Sequence, residues 1–420
     1  VYRKEVLENG LRIVTEEIPH VRSVCVGIWA GSGAKDENKK KNGISHFIEH
    51  MMFKGTKRRT AKEIAETLEA VGGQLNAATD KEYTCYYAKV LSSHTSLALD
   101  LLLDMLTQST FNPREIEKEK KVVIEEIKMY EDSPDELIHD LFVQTIWGGH
   151  RLGQNILGKK EAVNSLTRED ILSCLKQSYT PDNIIVAAAG HLKSEEIIRQ
   201  VKEAFARKRG KKEKVYETKA RLTPQVFIKE KDTKQAHLCL GTKGVHQTHK
   251  DKYALAVLGT ILGGGMSSRL FQEIRERRAL AYSIYSYEHC YRKNGLFGVY
   301  AGVSPANLNT VVRLIVKELN KLKEKKVRKS EINKTKEQLK GALMLSLEST
   351  GTRASKLARS EFYLGREITL DEIITQVNKV SADDLKRVAN DLLKKEDLTL
   401  AALGPLKQDE KKKLLEIVRE

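Results

Sequence analysis

Long apolar runs are missing from this chain of 420 residues. No segment approaches the roughly 20 consecutive apolar residues that carry a helix across a bilayer. No charged start followed by an apolar stretch marks a secretory leader either. The expectation is therefore a cytoplasmic chain with no membrane partner. Cysteine is scarce: Cys25, Cys85, Cys174, Cys239 and Cys290 are odd in number, widely spaced and set in apolar or strand-like stretches. That excludes a disulfide scaffold, and none of them stands at zinc-ligand spacing. Reduced packing residues are expected. Aromatic residues do not interleave with basic ones in the way base-stacking surfaces do. Nucleic acid is thus not an expected partner, although the formal net charge is +16. The lysines and arginines are dispersed among glutamates on helix faces and read as solvated surface. Their densest run, Arg207 to Lys212, falls in an expected linker, Ala206 to Arg221, where hydrophobic periodicity disappears.

What is present fits two domains with a substantial core. The two halves read as versions of one unit. The stretch beginning Pro113-Arg114-Glu115-Ile116 has an echo at Lys329-Ser330-Glu331-Ile332, an offset of 216 positions. At that offset Lys118 matches Lys334, Lys120 matches Lys336 and Ile127 matches Leu343. Both copies continue with apolar residues at helical spacing, and a strand-like run lies upstream of each, at 23–30 and 236–241. The division expected is 1–210 and 211–420.

Within each half there is no strict βαβ alternation. Ala61 to Ala70 has the pattern of an amphipathic helix, stopped by Gly72-Gly73. Leu75 to Thr79 and Tyr83 to Val90 form a hairpin across Asp80-Lys81, and long helices follow near 93–108 and 113–130. The fold class is α+β: two homologous repeats, each a largely antiparallel sheet with helices packed on one face. Gly263-Gly264-Gly265 has no lysine and no phosphate-binding context, so it reads as a turn before a helix.

The chemistry-bearing motif is His46-Phe47-Ile48-Glu49-His50. On a helix, imidazoles at i and i+4 share a face and can grip one ion, with Glu49 beside it. This H-x-x-E-H order reverses the commoner H-E-x-x-H zinc signature. Two histidines do not complete a catalytic zinc site, which commonly uses three protein ligands and leaves a position to water. Candidates for the third crowd into Glu115, Glu117, Glu119, Glu125 and Glu126.

The pentapeptide and the two glutamates Glu119 and Glu126, seven apart and following it at this distance, resemble the M16 peptidases. That is the inverted-zincin family of the insulinases, pitrilysin and the mitochondrial processing peptidases. The resemblance covers essentially the whole chain and includes Gly43-Ile44-Ser45, Phe53-Lys54-Gly55-Thr56 and Asn76-Ala77-Ala78-Thr79. Length points to the short-chain M16B-like subfamily, of bacterial type. The resemblance implies His46, His50 and Glu126 as ligands of one Zn2+ per chain, with Glu119 orienting a ligating histidine. Seven residues are two helical turns, so both carboxylates share a face and Glu125 points away. At the 216 offset Glu126 falls on Ala342 and Glu119 on Thr335. The second half therefore lacks the ligands.

The implied activity is that of a zinc metalloendopeptidase acting on unfolded peptides or oligopeptides within a dimeric chamber, with Glu49 as general base. Arg275 and Tyr282 look like the family's arginine/tyrosine pair for substrate backbone and oxyanion, with Arg277 and Arg278 as rivals on composition. Substrate would add a strand along Asn76, Ala77 and Ala78. A short chain carrying both sets implies a homodimer with composite active sites. The alternatives are a processing-peptidase subunit that cleaves presequences and a catalytically silent core or assembly subunit of the same fold.

Overall fold

The computed structural model describes residues 1–206, 210–212 and 224–420; most of the expected linker, 206–221, lies outside the described residues. In chain order the first half contributes β1 (Tyr2–Val6), β2 (Arg12–Glu17), β3 (Ser23–Ala30), α1 (Ile44–Met51), α2 (Ala61–Glu69), β4 (Gln74–Thr79), β5 (Thr84–Leu91) and α3 (Thr95–Gln108). It continues with α4 (Pro113–Asp132), α5 (Pro134–Trp147), α6 (Lys160–Asn164), α7 (Arg168–Ser178), β6 (Ile184–Gly190) and α8 (Ser194–Phe205). The second half opens with β7 (Val226–Glu230), β8 (Ala236–Lys243), α9 (Lys252–Gly263), β9 (Ala281–Cys290) and β10 (Gly295–Val303). There follow α10 (Leu308–Glu324), α11 (Lys329–Ser346), α12 (Thr350–Leu364), α13 (Leu370–Lys379), α14 (Ala382–Leu392), β11 (Thr399–Gly404) and α15 (Glu410–Arg419).

The strands form a six-stranded sheet in the order β1-β2-β6-β3-β5-β4 and a five-stranded sheet in the order β7-β11-β8-β10-β9. In the first, β2 and β6 are parallel and every other pair is antiparallel. In the second, β7 and β11 are parallel and the rest antiparallel. One plan of a parallel pair followed by three antiparallel strands therefore occurs twice. The 216 offset recurs in the helices: α4 starts at Pro113 and α11 at Lys329, α5 at Pro134 and α12 at Thr350. The α+β fold with duplicated sheets is as the sequence implies.

Two compact units result, and neither is a contiguous half. The first comprises Val1–Lys128, Gln154–Tyr216 and Met344–Ile368; the second comprises Met129–Gly153, Glu217–Leu343 and Thr369–Glu420. Against the expected division at 210/211, α5 belongs to the second unit and α12 to the first. The reason is physical. Alternate strand residues point to opposite faces, and each sheet buries both. In the first unit Val24, Val26 and Ile28 meet helices α1 and α3. Cys25, Trp29, Ile185 and Ala187 on the other face meet Ala354, Leu357 and Phe362 of α12. In the second unit Ile138, Phe142 and Ile146 of α5 cover Cys239, Tyr300 and Ala401. Helices were expected on one face only; α12 and α5 supply the other.

All five cysteines are free. Burial pushes the Cys25 thiol up to about 11 and those of Cys85 and Cys239 up to about 12, so they pack rather than react. Among the described residues no helix is long and apolar enough to cross a membrane.

Candidate metal centre

Helix α1 exists to place three polar side chains. Its N-cap is Gly43 at φ +99°, a left-handed conformation that glycine tolerates best. A Cβ there would lie 2.6 Å from the carbonyl oxygen of Leu157. The orphan N–H groups of the first turn find Glu37 instead of a local cap. Its Oε2 accepts from the Gly43 N–H at 2.7 Å and from Asn42 Nδ2 at 2.8 Å, and its Oε1 from the Ser45 N–H at 2.8 Å. Phe47, Ile48 and Met51 face the core of the first unit, which fixes the helix rotation. His46, Glu49 and His50 are left on the face towards α4 and β4.

On α4, Ile116, Val123 and Ile127 anchor the helix in the same core, and Glu119 and Glu126 come up on its α1 side. His46 Nε2 lies 3.7 Å from Glu126 Oε1, and His50 Nε2 lies 3.4 Å from Glu126 Oε2. One ligand atom from each of the three residues falls within 4.8 Å of the others. Direct N–H···O hydrogen bonds run about 2.7–3.2 Å, so these separations are long for that purpose. With zinc–ligand bonds of about 2.0–2.2 Å, the edges of a tetrahedron are roughly 3.3–3.6 Å. Two imidazoles and a carboxylate converging within 4.8 Å are a donor set that a divalent cation accepts. Glu125, the sequence neighbour, is exposed and paired with Lys128 at 2.6 Å, turned away as expected.

Electrostatics distinguish the two imidazoles. Burial, followed by the charge on His50, lowers His46 to about 4, so this imidazole is neutral and keeps a lone pair. Its Nδ1 is buried without a hydrogen-bond partner among the described residues. Burial would also lower His50, but Glu119 and Glu126 outweigh it and raise the ring to about 9. Glu126 is held low, chiefly by its interaction with His50. Glu119, 3 % exposed, meets His50 Nδ1 at 2.9 Å and Lys54 Nζ at 2.7 Å. A carboxylate on the far ring nitrogen is the usual partner of a metal-ligating histidine, since it fixes the tautomer and frees Nε2.

Glu49 stands beside this trio. Burial raises its carboxyl, while a hydrogen bond from Thr79 Oγ1 at 2.5 Å lowers it. Thr79 ends β4, a sheet edge paired on one side with β5. Asn76 and Ala78 are exposed along that edge, Ala77 is half-buried, and Asn76 Oδ1 accepts the Ala77 N–H at 2.8 Å. Lys54 and Thr79 stand in segments that carry the resemblance but are given no role there, and Glu37 is not among those segments. Lys54 stands four residues after His50, a spacing that signals proximity. Thr79 and Glu37 carry no such local signal.

Arg275 and Tyr282 belong to the second unit. Arg275 lies in a π-helical turn, Phe271–Glu276, a local geometry frequent at functional sites. Its guanidinium sits 4.8 Å from the Phe271 ring centre and 5.2 Å from that of Tyr282. The rivals Arg277 and Arg278 are held by Glu273 at 3.0 and 2.8 Å. Arg275 is therefore the arginine that pairs with Tyr282. The two line an open cleft of about 430 Å³ with Gln235, Ser304 and Asn307, and the Tyr282 side chain is 75 % exposed.

Residues 12–160 match the family model described as insulinase (peptidase family M16), and residues 165–339 match the one described as the peptidase M16 inactive domain. A Bacillus subtilis (strain 168) protein named uncharacterized zinc protease YmxG is 45% identical over 95% of this chain and 97% of its own. A Streptomyces coelicolor protein named uncharacterized zinc protease SCO5738 is 40% identical over 99% of this chain and 92% of its own. Among solved structures, a protease from Helicobacter pylori is 26% identical with a TM-score of 0.89, covering 96% of this chain and 99% of that one.

Proposed function

We propose that this chain, which belongs to the M16 (insulinase) family of peptidases, is a zinc-dependent metallopeptidase that hydrolyses unfolded peptides. The observation that carries the proposal is the convergence of His46, His50 and Glu126, whose ligand atoms lie within 4.8 Å of one another, with Glu49 beside them. His46 Nε2, His50 Nε2 and the Glu126 carboxylate would hold one zinc ion per chain. A zinc ion in such a set acidifies a bound water and polarises a carbonyl. Its relatives' names as zinc proteases support the same metal.

The chain's own residues account for the rest. Glu49, whose Oε2 accepts from Thr79 Oγ1, is placed to take a proton from attacking water and return it to the leaving amine. Glu119 keeps the Nδ1 side of His50 occupied. The free edge of β4, with small side chains at Ala77 and Ala78, suits an extended peptide added as a further strand. Arg275 and Tyr282 supply donors for substrate backbone and the developing oxyanion. One short chain carries both this pair and the metal-ligand set, so we assign the active form to a homodimer whose sites draw on both chains.

The test is hydrolysis of a quenched peptide by Glu49→Gln. It should retain zinc and lose activity by at least about 100-fold, the scale of general-base removal. Activity that survives this change would contradict the proposal. Mixing Glu49→Gln with Tyr282→Phe chains tests sharing between chains: restored turnover supports it, and none restored argues for sites completed within one chain.

A further inference from the structure

The buried Glu119 carboxylate has two oxygens and two partners. Oε1 meets His50 Nδ1 at 2.9 Å, and Oε2 meets Lys54 Nζ at 2.7 Å. Lys54 is not on a helix. It lies in the turn after α1, where its N–H donates to the Met51 carbonyl at 3.1 Å and that of Phe53 to the His50 carbonyl at 3.1 Å. Gly55 and Thr56 then tie the turn to the rest of the unit: the Gly55 carbonyl accepts the Thr110 N–H at 3.1 Å, and Thr56 Oγ1 donates to Asp104 at 2.8 Å. The ammonium is thus delivered from a braced backbone, with its stem partly covered.

The terminal torsion of a glutamate is broad, so one hydrogen bond to an imidazole does not by itself fix the carboxylate plane. A second bond to the other oxygen does. Charge makes the lysine more important once a metal is held. His50 must then be a neutral ligand, and Lys54 is the remaining side-chain cation in the ion pairs of Glu119 among the described residues. A buried carboxylate without a cation is costly, and it would turn or draw in water.

We infer that Lys54 is a positioning residue of the metal centre: through Glu119 it fixes the His50 ring so that Nε2 is aimed at the ion. This rests on the metal reading given above. It concerns a residue that touches neither ion nor substrate, and its readout is metal affinity rather than turnover.

The experiment measures zinc affinity of the full chain by competition with a chromophoric chelator. The set is the parent chain, Lys54→Met, Lys54→Arg, Glu119→Gln, and the double variant Lys54→Met with Glu119→Gln. Circular dichroism of each metal-free protein checks the fold. Lys54→Met should bind zinc about 10–100-fold more weakly, the usual scale for partners behind a ligand. Lys54→Arg should recover most of that. The double variant should bind no more weakly than Glu119→Gln alone, because both changes cut the same path. Should Lys54→Met fail to fold, Lys54→Gln takes its place, with a loss in the same direction. Parent-like affinity in the methionine or glutamine variant overturns the inference, as does an additive loss in the double variant. A parent chain that binds no zinc overturns the metal reading itself, and this inference with it.

Discussion

Thr79 Oγ1 donates a hydrogen bond to Glu49 Oε2 at 2.5 Å, joining the end of the sheet edge to the candidate general base. A strand proposed to receive substrate therefore ends on the side chain proposed to act on it. This bond favours the ionised carboxylate against the burial that opposes it.

Thr79→Val keeps the shape and removes the donor. A hydrogen bond to a charged group contributes about 1.5–3 kcal/mol, so the acid limb of kcat/KM should move up by about 1–2 pH units. The sign follows from the chemistry: without the donor Glu49 holds its proton to higher pH, and the base form is scarcer near neutrality. Thr79→Ser should restore the parent profile. A pH–rate profile unchanged in Thr79→Val would show that the bond has no part in the reaction.

Metal binding should release a proton from His50. In the metal-free chain His50 titrates at about 9, raised by Glu119 and Glu126, whereas His46 titrates at about 4. At about pH 6 one imidazole is therefore protonated, and a ligand must be neutral. Calorimetry in buffers of different ionisation enthalpy should find about one proton released per zinc near that pH, with apparent affinity rising about tenfold per pH unit. Zinc uptake with no proton release contradicts this assignment.

Glu37 gives a prediction about stability. Burial pushes its carboxyl up to about 7 from 4.5, against the N–H donors of Gly43 and Ser45 that hold it down. A group whose folded pKa is raised stabilises fully below its unfolded pKa, and that share is lost as pH rises through the folded one. Denaturant unfolding of the parent and Glu37→Ala should show the parent's advantage shrinking by roughly 3 kcal/mol between pH 4.5 and 7.5. A difference constant across that window would mean that Glu37 does not titrate there.

Two adjacent glutamates offer a sharp contrast. Glu126 faces both imidazoles, and Glu125 points outward to Lys128. Glu126→Gln should lower zinc affinity by about 10–100-fold or more, since it weakens a direct ligand, while Glu125→Gln should leave it unchanged. Equal effects in the two variants, read by chelator competition, would contradict the placement of the third ligand.

The legible part of the centre was the part with a local period. His46 and His50 are four apart and Glu119 and Glu126 seven apart, so helical geometry alone puts each pair on one face. The partners of those residues were less visible because they arrive by tertiary approach. Thr79 reaches Glu49 only because β4 runs alongside α1, and Glu37 caps α1 from a loop six residues before the cap position. The choice among Arg275, Arg277 and Arg278 could not be made from composition. It turns on Glu273, which occupies the latter two. The same limit applies to the fold. The apolar residues of α5 and α12 show that both helices are buried, but not that each covers a sheet whose strands come mainly from the other half of the sequence.

The most direct test of the account is anomalous diffraction at the zinc edge from crystals of the zinc-loaded chain. The prediction is a single peak per chain within about 2.0–2.2 Å of His46 Nε2, His50 Nε2 and a Glu126 oxygen. Glu119 should stay on the Nδ1 side of His50, outside bonding distance of the ion. A peak elsewhere, or one that Glu126 does not reach, would contradict it.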